Sequence, residues 1–342
     1  MRRRDFVKSS IAAGLGLSLG LDGYGRSLDE LVIGHGSHRY KIDLNWGALN
    51  ASYYPVQDCH EMVQDAKGRI LLLTNHTRNN VIVYNKDGKL LECWGKDYPG
   101  AHGLSIHDEN GEEFLYISDN QRHEVIKTTL DGKVMLTLPW PEESGKYEKA
   151  DQYVPTETAI ADNGDIYVAD GYGQQYILHY NAKGELLHVF GGRGEGEEHF
   201  DNAHGICVDR RKGGTPTLLI TARQQNKLKR FSLDGKHLST IDLPGAFICR
   251  PVIQGKNVYL ATIWSGDGSS GTGFVSVLDE NDRLISAPGG REPIYTDGQL
   301  SPMYQTLKIF QHPHDVCVDE DENLYVAQWN AGKTYPIKLY RV

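Results

Sequence analysis

The chain has 342 residues, a formal net charge of −9, 39% hydrophobic and 24% charged residues, 38 Gly and 19 Tyr. That length is ample for a large core, and all-β closed folds often use it as one unit. The balance excludes collagen, coiled coil and bulk disorder, and the acidic charge argues against a general nucleic-acid binder.

The first stretch reads as an address. Arg3-Arg4-Asp5-Phe6-Val7-Lys8 followed by the apolar run Ile11 to Leu21 has the form of a twin-arginine export signal, with an h-region too short to span a bilayer. We expect a signal over residues 1–28, a single domain over 29–342, a periplasmic or extracellular location, and no stable membrane span once the signal is removed. The five cysteines, at 59, 93, 207, 249 and 317, are odd in number and contain no C-x-x-C pair. Neither a disulfide framework nor a cysteine-based zinc site is signalled, and free, mostly buried thiols are expected.

A unit of about 50 residues recurs six times. Its clearest element is an apolar strand of the type Asp165-Ile166-Tyr167-Val168-Ala169-Asp170, seen again at Arg69–Thr74, Phe114–Asp119, Thr217–Ala222, Asn257–Thr262 and Asn323–Gln328. A second β-rich run follows each, and in five units a turn such as Lys86-Asp87-Gly88 or Leu233-Asp234-Gly235 leads to another strand; Asp-Gly pairs are strong hairpin signals. The sixth unit lacks that last strand, while Tyr40–Leu44 is β-like and unassigned. The N-terminal strand is therefore expected to complete the last blade and close an all-β, six-bladed propeller of four-stranded antiparallel blades.

Aligning the units on the turn before the apolar strand places His60, His102, Thr156, His204, Arg250 and His314 at one repeat position. His102-Gly103-Leu104, His204-Gly205-Ile206 and His314-Asp315-Val316 have matching contexts, two repeats apart. In a six-bladed ring they occupy alternate blades and point at the channel axis, the symmetry of a three-histidine metal site with open positions. Zinc is the first expectation, with other divalent transition metals allowed by the ligand type. His60 is a possible fourth ligand or a substrate contact.

The same mouth should carry the residues that follow the apolar strands: Asn75-His76, Asn120, Gly171-Tyr172, Arg223, Trp264 and Trp329-Asn330. Positive charge beside Tyr172 would lower its phenol toward the range of a general base, and Arg223 supplies such charge or forks onto a substrate carboxylate.

At these residues the chain resembles the NHL-repeat propellers and, within them, the peptidyl-hydroxyglycine amidating lyases. The blade signature appears in Phe190-Gly191-Gly192-Arg193-Gly194 leading through Phe200 to His204-Gly205-Ile206. Tyr98-Pro99-Gly100-Ala101-His102, Phe200-Asp201-Asn202-Ala203-His204 and Phe310-Gln311-His312-Pro313-His314 resemble the family's three zinc-histidine segments. Asp170-Gly171-Tyr172 resembles the segment of its catalytic tyrosine, and Arg223 falls on one of its two active-site arginines. The resemblance implies a zinc-dependent lyase that cleaves the C–N bond of an α-hydroxyglycine to give an amide and glyoxylate, with a structural calcium. Four departures stand out. The second arginine falls within Thr74–Arg78, where His76 and Arg78 both remain open; the family's methionine near the third histidine is His312; and a family cysteine beside the tyrosine is Gly173, while His60 has no family counterpart. The substrate is thus expected to be a peptide or small molecule, an α-hydroxyglycine or a related hydroxy compound. The rival reading is a non-catalytic propeller that holds a protein or glycan, any metal being structural.

Overall fold

The computed structural model describes residues 31–342, so the expected signal over 1–28 lies outside the described residues. Six antiparallel sheets follow one another around a channel. From inner to outer strand, blade 1 comprises Cys59–Gln64, Ile70–Thr74, Val81–Tyr84 and Leu90–Trp94, and blade 2 Ala101–Glu109, Glu112–Asp119, Glu124–Thr129 and Val134–Leu138. Blade 3 has Glu157–Ile160, Ile166–Ala169, Tyr176–Tyr180 and Leu186–Gly191; blade 4 has Ala203–Asp209, Thr217–Ala222, Lys227–Ser232 and His237–Asp242. Blade 5 is Ala246–Gln254, Asn257–Ser265, Phe274–Leu278 and Leu284–Ser286.

Blade 6 takes Pro313–Val318, Leu324–Gln328 and Ile337–Arg341 from the C-terminal end and His38–Asp43 from the N-terminal end, paired through Tyr40 with Arg341 and Ile42 with Leu339. The expected closure is present, with an addition: Val32–His35 pairs outside it and gives this blade a fifth strand.

The second strand of each blade is buried through its centre because both its faces are covered by neighbouring blades. Ile70–Thr74 and Ile166–Ala169 are buried at every residue. The apolar core accordingly divides into clusters that lie between blades: Leu71 and Leu73 of blade 1 against Leu104 and Ile117 of blade 2, Phe114 and Tyr116 of blade 2 against Ile166 and Val168 of blade 3, and Tyr259 and Val275 of blade 5 against Val316 and Val326 of blade 6. The outer hairpins turn where the Asp-Gly pairs stand. Gly235 adopts φ +88°, and in blade 5 the same turn is made by Asp282 at φ +61°.

The feature that builds the channel wall is a bulge. In blades 1, 2 and 6 the pairing of inner and second strands skips one residue, from Cys59 to Glu61, from Ala101 to Gly103 and from Pro313 to Asp315. The skipped residues are His60, His102 and His314. Blade 4 skips from Ala203 to Ile206, across His204 and Gly205. An extra residue bends the strand and re-aims its side chain, here toward the axis.

Candidate metal centre in the channel mouth

The bulges bring four histidines from four blades into one ring. The imidazole centroids of His60 and His102, His60 and His314, His102 and His204, His102 and His314, and His204 and His314 are 4.8–5.0 Å apart. All four side chains are buried. Donor atoms of His60, His102 and His314 lie within 4.8 Å of one another, and so do those of His204, Cys249 and His314.

Cys249 corrects the expected repeat position. In blade 5 the pairing jumps from Ile248–Thr262 to Pro251–Leu260, so Cys249 takes the place that the histidines hold elsewhere. Arg250 belongs one step further along, with Glu61, Gly103, Glu157, Gly205 and Asp315. The channel therefore has two layers, donors above and this second set below. Gly103 and Gly205 are small for a packing reason: a Cβ at Gly103 would sit 2.4 Å from the Thr156 carbonyl oxygen, and one at Gly205 would sit 2.5 Å from the Arg250 Cα.

Hydrogen bonds fix the ring's polarity. His102 donates from Nδ1 to the Thr156 carbonyl (2.9 Å), and His314 from Nδ1 to the His60 carbonyl (3.0 Å). Both rings then offer Nε2 as a lone pair, the usual way in which an outer partner orients a metal-binding imidazole. The Nδ1 atoms of His60 and His204 are buried without a partner. Burial holds His60 down to about 3 and keeps His102, His204 and His314 well below the ordinary imidazole value, so all four are neutral donors at neutral pH. Neutral imidazoles with an adjacent thiol form a nitrogen and sulfur set that fits a divalent transition metal and does not fit calcium.

Tyr172 stands over this ring. Its hydroxyl is 3.1 Å from Nε2 of His102, 3.1 Å from Nε2 of His204 and within 3.3 Å of Nη2 of Arg223. The loop that carries it follows the second strand of blade 3. Gln175 and Asn202 both donate to the Gly171 carbonyl, and the buried Asp170 carboxylate accepts from the backbone N–H groups of Val154 and Gln174 and from the Tyr147 hydroxyl. A Cβ at Gly173 would meet Asp170 Oδ1 at 2.1 Å and the Gln152 carbonyl oxygen at 2.4 Å, so this loop has no room for a cysteine there. The described cysteines are all free thiols, three of them buried. Burial of its hydroxyl end pushes the Tyr172 phenol up, and Arg223 pulls it the other way.

Arg223 begins the short 3-10 turn Arg223–Gln225 at the end of the second strand of blade 4 and is 4% exposed. It faces Tyr172, the Cys249 sulfur at 3.8 Å and the Trp264 ring; among the described residues no carboxylate pairs with it and its Nε has no partner. A buried guanidinium beside the ring with no acidic partner is suited to an anion.

His76 and Arg78 are not brought to the ring. The His76 Nδ1 accepts from the Arg78 backbone N–H, and the Arg78 guanidinium turns outward to the Ser52 carbonyl. It is Asn75 that lines the mouth, a cavity of about 390 Å³ with His60, Gly100, His102, Asn120, Gln121, Tyr172 and Trp329. His312 is buried and used structurally: Ser270 and the Gly271 N–H reach its Nε2, and its Nδ1 meets the Asn330 carbonyl. Cys249 is the mouth residue that the repeat alignment passed over, and a register one residue earlier in blade 5 would have found it. Among the described residues no helix is long and apolar enough to cross a membrane.

Residues 157–282 match a family described as a 6-bladed beta-propeller. The chain is 38% identical over 108 residues to peptidyl-alpha-hydroxyglycine alpha-amidating lyase 1 of Drosophila melanogaster, which is 30% of this chain and 19% of that protein. It is 32% identical over 109 residues to the probable peptidyl-alpha-hydroxyglycine alpha-amidating lyase pgal-1 of Caenorhabditis elegans, 31% of this chain and 30% of the relative. The chain thus spans less than a third of the length of these two curated relatives. Among solved structures, a catalytically inactive virginiamycin B lyase from Staphylococcus aureus with quinupristin superposes with a TM-score of 0.56 at 13% identity, covering 89% of this chain and 100% of that one, which shows the shared fold. The chain is a six-bladed β-propeller that resembles, over part of its length, the peptidyl-α-hydroxyglycine α-amidating lyases.

Proposed function

We propose that the protein is an exported, metal-dependent lyase that cleaves the C–N bond of an N-acyl-α-hydroxyglycine or a closely related hydroxy compound. The observation that carries this reading is the meeting of the Tyr172 hydroxyl with two ring histidines and Arg223 at the floor of an open mouth. Export rests on the Arg3-Arg4 motif and its apolar run alone.

His102, His204 and His314 are the ligands in this reading, with His60 and Cys249 flanking them, and zinc is the metal. When bound, a divalent ion there supplies positive charge that polarises the substrate oxygens and favours the phenolate of Tyr172. Arg223 takes the substrate carboxylate, which removes an uncompensated buried charge from the free site. Tyr172, placed by the Gly171 loop, receives the proton of the substrate hydroxyl. As that oxygen forms a carbonyl, the C–N bond breaks, and the proton passes to the leaving amide nitrogen. The products are a primary amide and glyoxylate, and Tyr172 is returned to its starting state. Trp329, Asn75 and Asn120 line the mouth, and in this reading they meet the acyl portion.

The test is glyoxylate release from a panel of N-acyl-α-hydroxyglycines by zinc-loaded protein, beside Tyr172→Phe and His204→Ala. Release that both substitutions abolish supports the reading. Folded, zinc-loaded protein that releases no glyoxylate from any member of the panel overturns it.

A further inference from the structure

Below the histidine ring, the channel is closed by the second layer. Arg250 lies across it, 7% exposed, and its guanidinium is bound from three other blades. Nε and Nη2 fork onto the Asp315 carboxylate of blade 6 at 3.0 and 2.7 Å. Nη1 donates to the Leu104 carbonyl of blade 2 at 2.7 Å, and Nη2 to the Met62 carbonyl of blade 1 at 2.8 Å. Two more buried carboxylates, Glu61 and Glu157, approach to 3.7 Å. Glu61 and Glu157 are both at most 1% exposed and lie against each other, and burial pushes both carboxyls up.

Three carboxylates and two strand carbonyls converging on one point of the axis are the donor set of a hard divalent cation, all oxygen and partly anionic. Here a side chain fills that point. The structural calcium implied by the family resemblance therefore does not fit this layer, because the guanidinium already makes the bonds that would hold it.

We propose that Arg250 is the propeller's own permanent channel cation, tying blades 1, 2, 5 and 6 together in place of a bound divalent ion, so that the protein needs no calcium. The corollary is a latent site: without the guanidinium, the Glu61, Glu157 and Asp315 oxygens and the Met62 and Leu104 carbonyls form a cage that takes calcium.

The experiment compares full-length wild type with Arg250→Met, decalcified and with zinc held constant. Wild type is expected to melt at the same temperature, within about 1 °C, with and without millimolar calcium. It should also retain no calcium through gel filtration. Arg250→Met is expected to melt well below wild type without calcium, to regain about 5 °C or more with it, and to retain about one equivalent. Wild type that retains an equivalent of calcium or melts higher in its presence overturns the proposal. So does an Arg250→Met protein that calcium does not stabilise, including one that fails to fold both with and without the ion.

Discussion

The Nδ1 of His102 lies 2.9 Å from the carbonyl oxygen of Thr156 on the next blade. A carbonyl only accepts, so this nitrogen carries the proton and Nε2 is left as a donor toward the axis. The imidazole's tautomer is thus set by the contact between two blades, and His314 repeats the arrangement with the His60 carbonyl across the closing junction.

From that geometry, His102→Ala, His204→Ala and His314→Ala are each expected to lower bound metal from about one equivalent to a small fraction. Elemental analysis of native, tag-free protein checks this, with circular dichroism showing that the blades remain folded. The ring is lined by side chains at bulges rather than by residues of the inter-blade cores, so the fold should survive each change.

Tyr172→Phe separates chemistry from metal binding. It removes only an oxygen that lies 3.1 Å from two histidines, so metal content should be unchanged while turnover on an active α-hydroxyglycine falls by roughly 10²–10⁴. Arg223→Lys should chiefly raise KM, because an ammonium lacks the planar fork that suits a carboxylate. Steady-state kinetics on metal-loaded protein distinguish the two patterns.

The propeller was legible because each unit repeats a second strand with an apolar centre followed by a Gly or Asp turn, and because the last unit lacks a strand that Tyr40–Leu44 supplies. His102, His204 and His314 were legible from their common contexts. Cys249 was not, since the blade 5 hairpin between Ile248 and Thr262 is shorter than its counterparts and counting back from the turn lands on Arg250. His76 and Arg78 follow the strand that ends at Thr74, but the turn carries them outward and leaves Asn75 facing the mouth. The second layer was hidden for another reason. Glu61 and Asp315 look like ordinary solvated charges until the bulge places each one directly beneath a ring histidine, and Glu157 takes the same level next to Thr156 in a blade whose pairing carries no bulge.

Gly205→Ala tests why glycine follows His204. Its Cβ would stand 2.5 Å from the Arg250 Cα and 2.9 Å from the Arg250 nitrogen, both backbone atoms of a packed inner strand. Relief requires blade 4 to move away from blade 5, and overpacking of this kind costs about 1–3 kcal/mol. Urea denaturation should show a loss of that size, together with weaker metal retention, because the same shift displaces His204.

Away from the channel, an ionic cluster joins blades 4 and 5 and gives the protein a defined acid response. Asp209 accepts from Arg211 and Arg230, and Asp282, at the blade 5 turn, accepts from the same two arginines. Burial would raise the Asp209 carboxyl, but the hydrogen bonds and charge of Arg211 and Arg230 prevail and hold it down to about 2, against an ordinary value of 3.8. Because the folded value is depressed, the stabilisation is fully present above about pH 4 and disappears as the pH falls through about 2; the difference corresponds to about 2 kcal/mol at neutral pH. Asp209→Asn is therefore expected to cost at least that much at pH 7, since its amide turns a donor toward a guanidinium. The gap between variant and wild type should narrow steadily below pH 4. Chemical denaturation of both proteins at pH 7, 4 and 2.5 measures it, and a gap that stays constant across that range would show that Asp209 acts through packing rather than through its charge.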